Sequence, residues 1–141
     1  MTRSAKSSSS SSTLTSLPPY GIFLLRLALG SIMIYHGYSK VVPDGAMDHF
    51  AHYVVSLGLP YWLGYVSALT EFVGGILLLL GLLTRPVAAL ITINMVVALL
   101  KVDVHQGFDN CQVSILLIAI AIAQICFGGG AYALDRRIGF A

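Results

Sequence analysis

The most constraining stretch of this chain is residues 62–83, WLGYVSALTEFVGGILLLLGLL, an apolar run with a single acid, Glu71, near its middle. Helical residues rise about 1.5 Å each, so about twenty of them cross a hydrocarbon layer of about 30 Å. A carboxylate at that depth costs about 3 kcal/mol or more unless it is protonated or faces a partner. The sequence around it favours a partner. Gly64, Ser67, Ala68, Glu71 and Gly75 fall within about 60° either side of one line on a helical wheel, and small residues on one face let a second backbone come close. The acid thus shares the face built for helix contact, away from the leucine-rich lipid face.

The composition leaves little room for anything but a membrane domain. Of 141 residues, 57% are hydrophobic and 10% charged, against about 25% charged in soluble domains. The net charge of +2 comes from scattered residues and offers no nucleic-acid surface. Cys111 and Cys126 lie in or beside one apolar run, about 22 Å apart if it is helical. They are too distant to bond and match no metal or redox spacing, so they read as small apolar packers.

Residues 1–19, MTRSAKSSSSSSTLTSLPP, form a Ser-rich tail expected to be disordered. Arg26 inside the following apolar run and the lack of a small-x-small site argue for a retained anchor over a cleaved signal peptide. The first span is expected at residues 20–40. There Arg26, Gly30, Met33, Gly37 and Lys40 lie within about 40° either side of one line, with His36 at its edge. Residues 43–60 are too short and polar to span. They predict an amphipathic interfacial helix with Met47, Phe50, Val54 and Leu57 on its apolar side and Asp48, His49 and His52 away from it. The second span is residues 62–83, followed by a tight link in which Thr84 can cap the third span and Pro86 can open it. The third span is expected at 87–101, reaching toward His105, with Asn94, Ala98, Lys101 and His105 on one face. A loop at 106–110 precedes a fourth span at 112–127. Glycines 128–130 end that span, and the tail leaves the membrane.

The cations set the orientation. Arg3, Lys6, Arg85, Arg136 and Arg137 fall in regions that four spans place on one side, so both termini are expected to be cytoplasmic. Counting from the helix ends puts Arg26, Glu71 and Asn94 at reachable depths. A buried polar layer of Arg26 with Glu71, and Asn94 near, is therefore expected. It serves either to fix helix register or as the floor of a small-molecule or proton site. A second layer toward the outer surface holds His36, Lys40, Lys101 and His105. Tyr35, Tyr38, Tyr53, Tyr61 and Trp62 form an aromatic belt there. His36-x3-Lys40 and Lys101-x3-His105 carry one imidazole each, so no dedicated metal site is expected.

The order of these features resembles the DoxX family of small bacterial membrane proteins. It is carried by Arg26-x9-His36-Gly37-x2-Lys40, by Glu71-x2-Gly74-Gly75 with Gly81 and Thr84-Arg85, by Met95-x2-Ala98, and by a glycine-rich exit ending in Leu134-Asp135. The likeness covers roughly residues 20–138. The exit reads GGGAYALD, without the family's usual Pro, Arg and Ser, and Asn110 stands where the family has an acid. The resemblance implies an all-α fold, a four-transmembrane-helix bundle in the bacterial inner membrane. It also implies respiratory or thiol/sulfur redox chemistry as a subunit or accessory of a quinone-linked oxidoreductase. The ligand is then a quinone in the outer half of the bundle, touched by His36, Lys40, Lys101 and His105, with electrons supplied by partner redox subunits. The alternative is a non-catalytic structural or assembly subunit of a larger membrane complex.

Overall fold

A computed structural model describes residues 19–130 and 132–139; the Ser-rich stretch 1–18 lies outside the described residues. Helix α1 is Pro19–Val41, α2 Ala46–Ser56, α3 Tyr61–Leu80 and α4 Thr84–Ala98. A π-helical segment, Leu99–Asp103, joins α4 to the single turn α5, Val104–Gln106, and α6 is Phe108–Phe127. No strand occurs among the described residues. Four helical stretches are long and apolar enough to cross a membrane: Tyr20–Val41, Tyr61–Leu80, Thr84–Gln106 and Phe108–Phe127. The expected all-α four-span bundle with a short helix between spans one and two is the observed fold.

The spans form a ring in which α1 packs on α3, α3 on α4, α4 on α6 and α6 on α1. The α1–α3 contact is the most extensive, and glycines explain it. A Cβ on Gly75 would lie 2.8 Å from the Gly30 carbonyl oxygen, and one on Gly30 would lie 3.0 Å from the Gly75 oxygen. The two backbones touch, which only residues without side chains permit. Gly37 sits against the Phe72 backbone and Gly64 against Ala51 of α2 in the same way. The dense apolar core, with Leu29, Met33, Leu78, Ile91 and Ala121 fully buried, fills the half of the bundle that carries the termini.

Helix α2 presents Ala51 and Val54 to the bundle. Its apolar side is thus centred on a small residue that seats on Gly64. Asp48 accepts a hydrogen bond from the Tyr61 hydroxyl, which ties α2 to the start of α3.

Three boundaries differ from the sequence expectation. Span two stops at Leu80, because Gly81 turns into the left-handed region (φ 70°). The Leu82 amide then bonds the Leu77 oxygen at 2.9 Å and the Gly81 amide the Leu78 oxygen at 3.0 Å, a Schellman closure. Span three begins at Thr84, and Thr84 does not cap it. Leu83 holds the cap position with φ 50°, so Thr84 is already inside the first turn. The cap comes from Asp135: the Leu83 amide donates to its Oδ1 at 2.6 Å and the Thr84 amide to its Oδ2 at 2.8 Å. Span four starts at Phe108, which reduces the expected loop to Gly107. Asp109 in its first turn faces the helix dipole favourably.

The C-terminal segment also differs from expectation. It does not simply leave the bundle but folds under it, burying Ala133 and Asp135. The Asp135 amide donates to the Gly81 oxygen at 2.9 Å, so one residue clasps both sides of the α3–α4 link.

The backbone contact yields a direct expectation. Gly75→Leu forces α1 and α3 apart along their whole length and costs about 3 kcal/mol or more, the upper range for overpacking. A thermal melt in mild detergent should show a large drop. Gly21→Leu, at a glycine with open space around it, should leave the melt near that of the wild type.

Candidate binding cavity between the four spans

Glu71 is buried, and its two oxygens are each engaged. Lys40 Nζ donates to Oε2 at 2.5 Å, and Asn94 Nδ2 donates to Oε1 at 3.0 Å. The acid is thus held by α1 on one side and α4 on the other. The Lys40 ammonium also lies over the Phe50 ring of α2, 4.5 Å from its centroid, where the ring face favours a cation. Its side chain retains 24% exposure against 5% for Glu71, so the pair sits at the edge of an open space.

The expected Arg26–Glu71 pair does not form. Gly30 lies opposite Gly75 and Gly37 opposite Phe72, which puts Glu71 level with about residue 36 of α1. Arg26 is about ten residues, or about 15 Å, nearer the termini. Counting depth from the helix ends fails because those ends are not level. The first turns of α1 run past the end of α3 and pack on the C-terminal segment through Tyr20 and Phe23 against Tyr132. There Arg26, 1% exposed, donates from Nη1 to the Gly129 oxygen at 2.5 Å and from Nη2 to the Tyr132 oxygen at 3.2 Å. The arginine therefore anchors the C-terminal segment. Lys40, extending back along α1 from the opposite end, reaches Glu71 instead.

Beyond the Lys40–Glu71–Asn94 group opens a cavity of about 540 Å³. Its size lies within the range of small-molecule sites, about 300–1,000 Å³. The wall is mainly apolar, with Met33, Val54, Leu63, Val66, Leu90, Ile93 and Leu117 among its residues. Its polar groups come from every span: His36 and Lys40 from α1, Ser67, Thr70 and Glu71 from α3, Asn94 and Lys101 from the third span, and Ser114 from α6. The expected polar floor and outer layer are thus one site. His36, Lys40, Lys101, Glu71 and Asn94 line it, whereas Arg26 and His105 do not.

The π-helical segment accounts for His105. An i→i+5 turn adds the equivalent of one residue, which rotates everything beyond it by about 100°. The face that begins with Asn94, Ala98 and Lys101 therefore continues at Gln106, which lines the cavity, and His105 is exposed on another side. Asp103, within the π segment, accepts a hydrogen bond from Ser114 of α6. It is a second carboxylate in the lining, and sequence spacing gave no sign of it. A π turn has no composition signature of its own, but such turns recur at functional sites.

A four-span bundle with a lysine–glutamate pair at the edge of a mainly apolar cavity is a membrane protein with an internal cavity. The chain belongs to the DoxX family, whose model matches residues 21–106. It is also similar to a Bacillus subtilis (strain 168) protein named "Putative oxidoreductase CatD", with 34% identity over 117 residues, 82% of this chain and 84% of the relative. No solved structure matches the chain.

Separating the partners of Glu71 should reveal the size of their coupling. Lys40→Met strands a buried carboxylate and costs about 2–4 kcal/mol. This is somewhat less than the about 3–5 kcal/mol of a fully enclosed pair, since Lys40 keeps partial access to solvent. Adding Glu71→Leu should restore most of that loss. A double-mutant cycle read by unfolding in detergent checks both values. Pairing Arg26→Gln with Glu71→Leu should instead give additive losses, because Arg26 and Glu71 share no contact.

Proposed function

We propose that this protein is a quinone-binding subunit or accessory of an oxidoreductase in the bacterial inner membrane, with both termini in the cytoplasm. The observation that carries the reading is the ammonium of Lys40, fixed on Glu71 at the edge of an apolar cavity. A quinone ring is flat and apolar, with carbonyl oxygens that accept hydrogen bonds. Lys40 has donors to spare beyond the one given to Glu71. His36 and Lys101 line the same space and would meet the ring from the loop side. Glu71 and Asn94 hold the lysine in place, a positioning role that keeps its proton near the ligand oxygen. The name of the Bacillus subtilis relative supports an oxidoreductase setting. Reduction of a quinone to a quinol takes two electrons and two protons. In this reading the residues of this chain bind and orient the ring, and a partner redox subunit supplies the electrons. The orientation rests on Arg85, Arg136 and Arg137 at the termini-bearing end, which cytoplasmic sides favour.

The test is the lipid extract of the protein purified in mild detergent. Quinone should accompany the wild type and the His105→Ala variant, and should fall away in Lys40→Met and Glu71→Gln. Stable protein that carries no quinone in any form would sink this reading and leave the structural or assembly role.

A further inference from the structure

We infer that the cavity is entered from the lipid through a cleft between α3 and α4, and that its ligand is a quinone with a long alkyl or isoprenyl tail lying in that cleft. The inference rests on the quinone reading above and adds the route and the tail. Near the termini α3 and α4 are in contact, since a Cβ on Gly74 would lie 3.4 Å from Val87 and 3.7 Å from Ile91. Three residues before Gly74, farther from the termini-bearing end, the only side-chain hydrogen bond between the two helices among the described residues is that of Asn94 to Glu71. Beyond that bridge the facing residues line the cavity.

The wall at this point is both inner lining and outer surface. Val66, Leu90, Ile93 and Val97 all line the cavity, yet they are 46%, 54%, 63% and 39% exposed. Asn94 is ten residues into the span that begins at Thr84, about 15 Å from that end and so near the middle of a hydrocarbon layer of about 30 Å. An opening there meets acyl chains rather than water. The exposed lining residues at this depth, Val66, Leu90, Ile93 and Val97, are aliphatic, and Lys40, Glu71 and Asn94 are all less exposed than they are. That order suits an amphiphile whose ring reaches Lys40 while its tail stays among lipid chains. The exposed polar residues of the lining, His36, Lys101, Gln106 and Asn110, lie toward the loop end, so the cleft between α3 and α4 is the side suited to a tail.

The full-length protein in lipid nanodiscs can be titrated with a dimethoxy-methyl-benzoquinone and with its decyl derivative, which share one ring. The decyl compound should bind the wild type about tenfold more tightly or better. Ile93→Trp and Val66→Trp, which narrow the cleft, should each remove that advantage. A decyl quinone with a diazirine at the chain end should label the cleft side of α3 and α4 on irradiation of the wild type. This readout needs no variant to fold. Equal affinity of the two quinones for the wild type, or chain-end labels confined to α1 and α6, would overturn the tail route and leave the quinone reading standing. Failure of both quinones to bind the wild type would remove the quinone reading and this inference with it.

Discussion

The contact of Gly30 on Gly75 decides what the rest of the structure can do. Backbones that touch at one point along two helices fix the axial register of the pair, because no side chain remains to let them slide. Once the register is set, the partners of every polar group on α1 and α3 follow. Glu71 meets the lysine that reaches it from the far end of α1, and Arg26 comes level with Gly81. The same contact separates two polar layers with different tasks. One ties the C-terminal segment to the α3–α4 link, and the other borders the cavity.

The layer near the termini is built from side chains bonded to backbone groups. Arg26 donates to two carbonyls of the C-terminal segment, and Asp135 from that segment takes the amides at the start of the third span. A buried arginine and a buried aspartate thus meet backbone groups that the glycine loop and the helix start leave without helical partners. The dense apolar core lies next to this clasp. Packing and backbone satisfaction are concentrated in one half of the bundle, which lets the other half remain open around a cavity. A protein that needs an internal site in a membrane has few other ways to keep four short spans together.

Much of this was legible in the sequence because it depends on one helix at a time. The alignment of Gly64, Ala68, Glu71 and Gly75 on one face marks the side of α3 that faces protein, and all four are buried. The stripe of Arg26, Gly30, Met33 and Gly37 on α1 is buried likewise. What the sequence did not disclose depends on two helices, or on a local change of helix type. The overhang of α1 beyond α3 made equal depths look like contact between Arg26 and Glu71. The π segment brought Gln106 to the cavity lining in place of His105. The cap on the third span lies 51 residues away from Thr84 in the chain, so the nearest hydroxyl was the natural choice from sequence and the wrong one.

The Lys40–Glu71 pair gains its meaning from the same register. In lipid a lone carboxylate would be neutralised or excluded, and a lone ammonium would be drawn out to the interface. Held together, with Asn94 on the second oxygen and the ammonium over the Phe50 ring, the two groups satisfy one another at the border of an apolar space. For stability alone, apolar residues of similar volume would serve as well or better. Arg26 and Asp135 already clasp the bundle at its other end. A charged pair that borders a cavity is what the proposed ligand site would require. In that proposal the exposed aliphatic residues between α3 and α4 give the direction from which the ligand would come.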